Sequence, residues 1–121
     1  IANHDTPFAD MPNGKLEDTL HVLAITRLMQ PNALLPATTA LGSINKTGRE
    51  QGILAGGNVV MPNLSPTSVR AKYALYDGKI CTGDEAAECI MCLTRRVETT
   101  GNHIANVRGD SKVEFKDKST L

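Results

Sequence analysis

The sequence predicts an α/β fold in which three consecutive βα units are followed by one further helix. Short apolar runs begin near residues 2, 34 and 58, which are 32 and 24 residues apart, and helical or helix-start patterns follow them. Parallel βα units average about 31 residues in an eight-stranded barrel of ~250 residues. Three units cannot close such a barrel, so we expect further chain beyond these 121 residues. The alternative is a complete, small, three-stranded α/β domain.

The first unit contains the clearest helix of the chain. Residues 1–8 are partly apolar and are predicted to form the end of a strand that enters a turn. Apolar residues then recur at helical spacing over Leu16–Met29. Asn13 is the predicted N-cap, and Pro31 is expected to stop the helix.

The second unit combines an apolar run with a helix-start motif. Ala33–Ala40 shows little alternation, as is typical of a strand covered on both faces, although Pro36 lacks the N–H of a central strand. Thr47 and Glu50 match a capping box, which predicts a helix that extends to about Leu54.

The third unit begins with the strand candidate Asn58–Met61. Ser65 and Pro66 predict the start of a helix that continues to about Tyr76.

A last helix is predicted over about Glu85–Thr100. Asp84 or Thr82 is its expected cap, and Gly101 its C-terminal end. The polar tail, 102–121, is expected to be poorly ordered or to form a short edge strand.

Composition narrows the class of protein. Thirteen Lys and Arg balance thirteen Asp and Glu, which argues against nucleic acid or an anionic membrane as the main partner. No apolar stretch reaches the roughly 18 residues of a membrane span, and no signal segment is visible. Three cysteines fit metal or thiol chemistry better than a disulfide framework. We therefore expect a soluble, cytoplasmic protein.

Candidate ligand-binding residues lie where the predicted strands end, because function in parallel βα architectures is found at that edge. They are His4, Thr38, Thr39, Met61 and Asn63. The threonine hydroxyls suit a carboxylate or another small polar ligand, the histidine suits acid–base chemistry, and the methionine thioether suits a flat ring. The ordinary alternatives are backbone capping for the threonines, polar turns for His4 and Asn63, and core packing for Met61.

The three cysteines form the pattern C-x7-C-x2-C. Cys89 and Cys92 fall on one face of the last predicted helix, and Cys81 precedes its N-terminus, whose dipole favours thiolates. Three thiolates suit zinc or an iron–sulfur cluster, with His103 as a candidate fourth ligand for zinc. Buried, unligated cysteines are the alternative.

Five blocks of sequence carry a resemblance to a known family. HDTPFAD, TRLMQP, LLPATTALG, GREQGILAGGNVVMPNLSP and YALYDGKICTGDEAAEC resemble, in this order, the C-terminal part of the radical-SAM maturases of iron-only (FeFe) hydrogenase, which belong to the biotin-synthase-like group. The resemblance covers about residues 1–101. It implies a radical-SAM (β/α)8 barrel, to which residues 1–78 supply the last three βα units. Residues 79–101 would be a cysteine-bearing appendage, and 102–121 a polar tail.

The resemblance also implies a chemistry. A 4Fe-4S cluster, held by a Cys-x3-Cys-x2-Cys loop, cleaves S-adenosylmethionine to a 5′-deoxyadenosyl radical, which acts on a small substrate during assembly of the di-iron subcluster. This chain does not contain that loop, so no catalytic residue is assigned in it, and the chain alone is expected to be inactive. The cysteines match an accessory iron–sulfur site. Thr38 and Thr39 match cavity-facing positions at the end of the seventh strand, and Met61 matches the end of the eighth strand, near the adenosyl group.

Rival interpretations remain open at this point. Biotin synthase is the nearest rival, and it has an arginine, a ligand of its sulfur-donating cluster, on the strand that corresponds to Ala37–Thr39. This chain has Ala-Thr-Thr there, which argues against such a cluster inside the barrel. A methylornithine synthase-like enzyme and a non-catalytic metal-binding module are the others. The expected partners are a small-molecule substrate and other hydrogenase maturation proteins, without nucleic acid or membrane. Because a partial barrel leaves strand edges uncovered, we expect the isolated chain to self-associate.

Overall fold

Helices dominate the part of the chain that can be described. The computed structural model describes residues 1–73, 75–83, 86–105, 107 and 109–110, so most of the predicted tail lies outside the described residues. The elements within these ranges are α1 Leu16–Met29, α2 Thr39–Ile44, α3 Gly48–Leu54, α4 Thr67–Arg70, a 3-10 helix over Ala71–Tyr73, and α5 Ala86–Glu98.

Helix α1 has the bounds that the sequence predicts. Leu16 and Leu23 are its buried residues, two turns apart on one face. Acidic residues in the first turn and Arg27 in the last turn complement the helix dipole. The N-cap position is Lys15 and not the predicted Asn13, and no side chain caps this end.

The second and third predicted strands are neighbours and run parallel, but they are reduced to one β-bridge. Pro36 pairs with Val59. The N–H of Ala37 donates to the carbonyl of Val59 (2.9 Å), and the N–H of Val59 donates to the carbonyl of Leu35 (3.1 Å). Proline is tolerated here because its two neighbours make the bonds, whereas its own missing N–H would face away from the pair.

The strand predicted within residues 1–8 is not formed. Successive turns replace it, with N–H to carbonyl bonds from Thr6 to Asn3 (3.1 Å) and from Ala9 to Thr6 (3.0 Å). The side chain of Asn3 accepts a bond from the N–H of Asp5 at 2.9 Å. Local side-chain bonding of this kind competes with extended structure.

Helix α2 was not predicted, because the apolar run through Ala40 resembles a strand up to its end. The chain instead turns into a helix directly after Thr38, which occupies the N-cap position. Helix α3 forms where the capping box predicts it, but the box itself does not, since Thr47 makes no side-chain capping bond. The side chain of Gln51 donates to the hydroxyl of Thr47 instead (2.9 Å).

The later helices differ from the prediction in length more than in position. Helix α4 and the 3-10 helix end at Tyr73, earlier than the predicted Tyr76, and Pro66 takes the N-cap position predicted for Ser65. Helix α5 lies within the predicted range and is followed by Gly101, whose φ of 75° is in the left-handed region. The cap prediction at Asp84 lies outside the described residues.

A small core forms between α1, α2 and α3. Leu16, Leu23 and Leu41 are its buried members. Gly52 of α3 lies beneath them, where an added Cβ would be 2.9 Å from Leu41 Cδ1. The opposite face of α1 leaves large apolar side chains in solvent, namely Val22, Ile25, Leu28 and Met29. Within the described part of the chain, none of the helices combines the length and apolar character needed to cross a bilayer.

The contact between α2 and α3 predicts a strong requirement for Gly48. A Cβ at this position would touch the carbonyl oxygen of Leu41 and lie 2.7 Å from its carbonyl carbon. We expect Gly48→Ala to lower the free energy of unfolding by about 1–3 kcal/mol, because backbone must shift to admit the methyl group. Urea unfolding measures this. Gly14→Ala is the matched control, since nothing lies within 4 Å of a Cβ there. Equal losses in the two variants would contradict the packing argument.

Candidate functional site

One cavity gathers most of the residues that the sequence singles out. Its volume is about 220 Å³. Its lining comes from α2, α3, the segment after the β-bridge, the loop before α5, and α5 itself. The lining residues are Thr39, Arg49, Met61, Pro62, Asn63, Lys79, Ile80, Cys81 and Cys89.

The β-bridge explains why Thr39 and Met61 lie together. Pro36 and Val59 are paired in parallel, so the residues that follow each of them leave the pair at the same end. Thr39 is then the first residue of α2, and Met61 lies half-exposed at the mouth of the cavity. Thr38 does not line the cavity, because it occupies the N-cap position of α2.

Asn63 connects segments of the site rather than presenting a free amide. Its side-chain N–H donates to the carbonyl of Cys81 (3.1 Å), and its side-chain oxygen accepts from the N–H of Ser65 (3.2 Å). Its backbone N–H donates to the sulfur of Cys89 at 3.3 Å. These bonds favour the turn-forming role that the sequence left open beside a role in ligand binding.

Two buried arginines hold the cysteine-bearing loop, and the sequence did not single out either of them. Arg49 is 3% exposed, and its Nη2 lies 3.2 Å from the sulfur of Cys81. Arg70 is equally buried and donates to the carbonyls of Ser65 (2.8 Å), Asn63 (3.3 Å) and Cys81 (3.5 Å). In the sequence, each of these arginines is a charged residue within a short helical segment. A charged residue at such a position is ordinarily expected to face solvent.

The three cysteines are placed differently from one another. Cys89 is buried, Cys81 is half-buried with a φ of 60°, and Cys92 is exposed. Cys81 and Cys89 share the cavity, whereas Cys92 lies outside it. Across the described ranges, no group of three or more His, Cys, Asp or Glu side chains is close enough to hold a metal ion. His103, the candidate zinc ligand, lines a separate and mostly apolar cavity of about 440 Å³.

His4 lies away from this cavity, in an exposed contact between the N-terminal turns and the loop after the 3-10 helix. Its Nδ1 is 2.9 Å from Asp77 Oδ1, and its backbone N–H donates to Asp77 Oδ2 at 3.1 Å. Nε2 lies 3.4 Å from the carboxylate of Asp5. The hydrogen bond to Asp77, helped by the charges of both aspartates, raises the pKa of His4 above its ordinary value.

The cysteine-bearing helix α5 is anchored to α3 by an ion pair. Arg96 Nε lies 2.6 Å from Glu50 Oε1, and Nη2 lies 2.8 Å from Oε2, with the Arg96 side chain 25% exposed and the Glu50 side chain 16% exposed. Arg96 also donates to the carbonyl of Lys46. The hydrogen bond from Arg96 lowers the pKa of Glu50, and the same pair raises the pKa of Arg96.

The ion pair predicts a pH-dependent contribution to stability. Because the pKa of Glu50 is lower in the folded chain, the pair stabilises the fold above the unfolded carboxyl pKa of about 4.3, and this is lost as the pH falls through the folded value. We expect Glu50→Gln to lower the free energy of unfolding by about 1.5–3 kcal/mol at pH 7. Denaturant unfolding at several pH values should show the deficit shrinking below about pH 4.

The control for this experiment is Glu98→Gln, an exposed position near the C-terminal end of α5. It should not lower the free energy of unfolding. A Glu50→Gln deficit that stays constant down to pH 2 would contradict the role of the Glu50 charge.

The contact between His4 and Asp77 can be measured by NMR. We expect the imidazole of His4 to titrate above the ordinary value of about 6.5, and its pKa to fall in Asp77→Asn, because the acceptor charge is removed. Any stabilisation from the contact is therefore present below pH 6.5 and disappears as the pH rises through the folded pKa of His4. Asp10→Asn, an exposed change in the same segment, should leave this titration curve unchanged. An unaltered curve in Asp77→Asn would remove the contact as the cause.

Comparison with known proteins first gives a negative result: no family model matches the chain.

Comparison with curated proteins finds a match. The chain is 39% identical over 116 residues to the FeFe hydrogenase maturase subunit HydE of Thermotoga maritima. The aligned region covers 96% of this chain and 33% of the relative, so the chain spans about a third of the relative's length. It aligns with the C-terminal portion of the longer protein. The resemblance recognised in the sequence is therefore confirmed: the chain is similar, over nearly its whole length, to the C-terminal portion of an FeFe hydrogenase maturase.

Proposed function

We propose that this chain is the C-terminal portion of a radical S-adenosylmethionine enzyme that helps assemble the di-iron subcluster of FeFe hydrogenase. The observation that carries the proposal is the 39% identity to the maturase over 96% of the chain. Its partners in that role are a small-molecule substrate and other hydrogenase maturation proteins.

The proposal includes the architecture of the larger protein. Residues 1–78 supply the last three βα units of a (β/α)8 barrel, 79–101 form the appendage, and 102–121 form the tail. The parallel pairing of Pro36 with Val59 supports the order of the last two units, because adjacent barrel strands are parallel. Strands of a barrel are paired on both sides, so short strands are expected when one flank has no neighbour.

The cavity beyond the β-bridge is the proposed wall of the reaction chamber. The hydroxyl of Thr39 supplies a donor and acceptor for a polar substrate group, and the thioether of Met61 packs against the flat adenosyl group. Thr38 and Asn63 support this wall from the N-cap of α2 and from the bonds to the cysteine loop. His4 lies outside the cavity, and its proposed contribution to the site is the contact that it makes with Asp77.

The cofactors are S-adenosylmethionine and a 4Fe-4S cluster whose ligands lie outside this chain. When bound, the cluster supplies the electron that cleaves S-adenosylmethionine. The residues of this chain bind and orient, and none of them is assigned a catalytic step.

The cysteines are the proposed ligands of an accessory iron–sulfur or other metal site. The donor chemistry fits, because Cys81 and Cys89 place two thiols in one cavity and Cys92 follows one turn later on α5. The third thiol is not gathered with the other two in the described structure. A metal-binding module without catalytic activity is the second candidate function, and the shared cavity of the two thiols is what favours it.

The activity of the whole protein separates the two candidates. Incubated anaerobically with S-adenosylmethionine and dithionite, the 121-residue chain should give no 5′-deoxyadenosine, because it has no Cys-x3-Cys-x2-Cys loop. The longer protein, in which the cluster-binding loop precedes this chain, should produce 5′-deoxyadenosine. Product from the short chain alone would contradict the proposal, and an upstream sequence without the loop would favour the metal-binding module.

Measuring the binding of S-adenosylmethionine to the longer protein tests Met61, and an unchanged affinity in Met61→Ala would contradict the proposed contact. In the longer protein, Met61→Ala should weaken S-adenosylmethionine binding about tenfold, or about 1.4 kcal/mol, through lost contact with the adenosyl group. Met29→Ala, at the end of α1, is the matched control and should leave binding unchanged.

A further inference from the structure

Arg49 is a buried cation to which no carboxylate is bonded among the residues that the structure describes. Its side chain is 3% exposed, and its Nε is buried without a hydrogen-bond acceptor. None of the ion pairs among the described residues involves Arg49. The carboxylate of the next residue, Glu50, is bonded to Arg96, and the charge of Arg49 makes only a smaller contribution to the lowered pKa of Glu50. Because a buried charge is costly unless an opposite charge is bonded to it, an anion in direct contact with Arg49 is favoured.

The group that Arg49 meets is the sulfur of Cys81. To reach it, the arginine side chain passes over Gly42 of α2, where an added Cβ would be 3.4 Å from Arg49 Nε and 2.7 Å from Ile80 Cδ1. The absence of a side chain at Gly42 therefore lets α3 and the loop before α5 approach each other. The contact between Nη2 and the sulfur, at 3.2 Å, lies inside this packed region.

Cys81 itself is held firmly in place. Its φ of 60° is in the left-handed region, which is uncommon for a residue with a side chain. Its carbonyl accepts bonds from Asn63 (3.1 Å) and Arg70 (3.5 Å). These contacts fix the backbone, and Arg49 then fixes the sulfur at the wall of the cavity.

The second sulfur of the cavity also receives an N–H donor. Cys89 accepts a bond from the backbone N–H of Asn63 at 3.3 Å. Donors directed at sulfur stabilise it as a thiolate ligand, and such groups around a metal's ligands orient them and adjust the properties of the metal. Both sulfurs of the cavity therefore accept an N–H donor.

We propose that Arg49 is the positioning residue of a thiolate-bound metal centre on Cys81 and Cys89, with its guanidinium as the counter-charge that holds the Cys81 sulfur at the cavity wall. The inference rests on the metal-binding part of the proposed function. Cys81 and Cys89 would hold a divalent metal ion as thiolates, with their protons released to solvent, and the thiolate of Cys81 would place a negative charge in direct contact with Arg49.

Anaerobic titration with Co²⁺ tests this in the 121-residue chain. The wild type should develop the near-ultraviolet absorption of sulfur-to-cobalt charge transfer. Arg49→Met should weaken Co²⁺ binding by about 10–100-fold, the usual effect of removing such a supporting group, and Arg49→Lys should restore part of the loss. Arg95→Met is the matched control, since Arg95 is exposed on the cysteine-bearing helix and should not affect binding.

Two results would overturn the proposal. One is a wild type without sulfur-to-cobalt absorption. The other is an Arg49→Met variant that is folded by circular dichroism and binds Co²⁺ as tightly as the wild type.

A second experiment leaves Arg49 in place. Cys81→Asp and Cys81→Asn have nearly the same shape, and both residues tolerate positive φ better than most. In the metal-free chain, Cys81→Asp should melt at a higher temperature than Cys81→Asn, because only the aspartate places a negative charge in direct contact with Arg49. Equal melting temperatures would overturn the proposal even if the Arg49 variants fail to fold. Failure of the proposed function would appear separately, as absent 5′-deoxyadenosine from the longer protein.

Discussion

The candidate site depends on a single parallel contact between two short extended segments. The bonds from Ala37 to Val59 and from Val59 to Leu35 connect parts of the chain that are more than twenty residues apart. Thr39 and Met61 line the cavity together because the segments that follow the two paired residues leave the pair at the same end. The core beneath it is small, so glycines rather than large side chains determine how closely α2 and α3 approach. Close backbone approach substitutes here for an extensive hydrophobic interior.

Helical periodicity predicted α1 and the position of α5 because each is long enough to show several turns of pattern. The short elements could not be predicted in the same way. Ala33–Ala40 reads as a strand, yet the chain turns into α2 after Thr38, and the predicted strand within residues 1–8 is replaced by turns. A strand gains most of its stability from neighbours on both sides, and the sequence alone does not state which neighbours are present.

The residues that line the candidate cavity were predicted in part. Strand-end reasoning brought Thr39, Met61 and Asn63 to one place, and the cysteine pattern brought two of its three members there. His4 and Thr38 lie outside the cavity lining, because the first segment has no strand from which to project and Thr38 occupies a helix end. The sequence did not indicate Arg49, because its contact with Cys81 results from packing across Gly42. No local sequence pattern records a contact between separate elements.

Arg70 shows how an irregular segment can be held without a sheet. Its guanidinium donates to carbonyls at Ser65, Asn63 and Cys81, so one side chain takes the place of the ladder bonds that regular structure would supply. Lysine, with a single compact ammonium group, could not span these three acceptors. Proteins that share this segment should therefore retain arginine at this position even where exposed side chains of the loop differ.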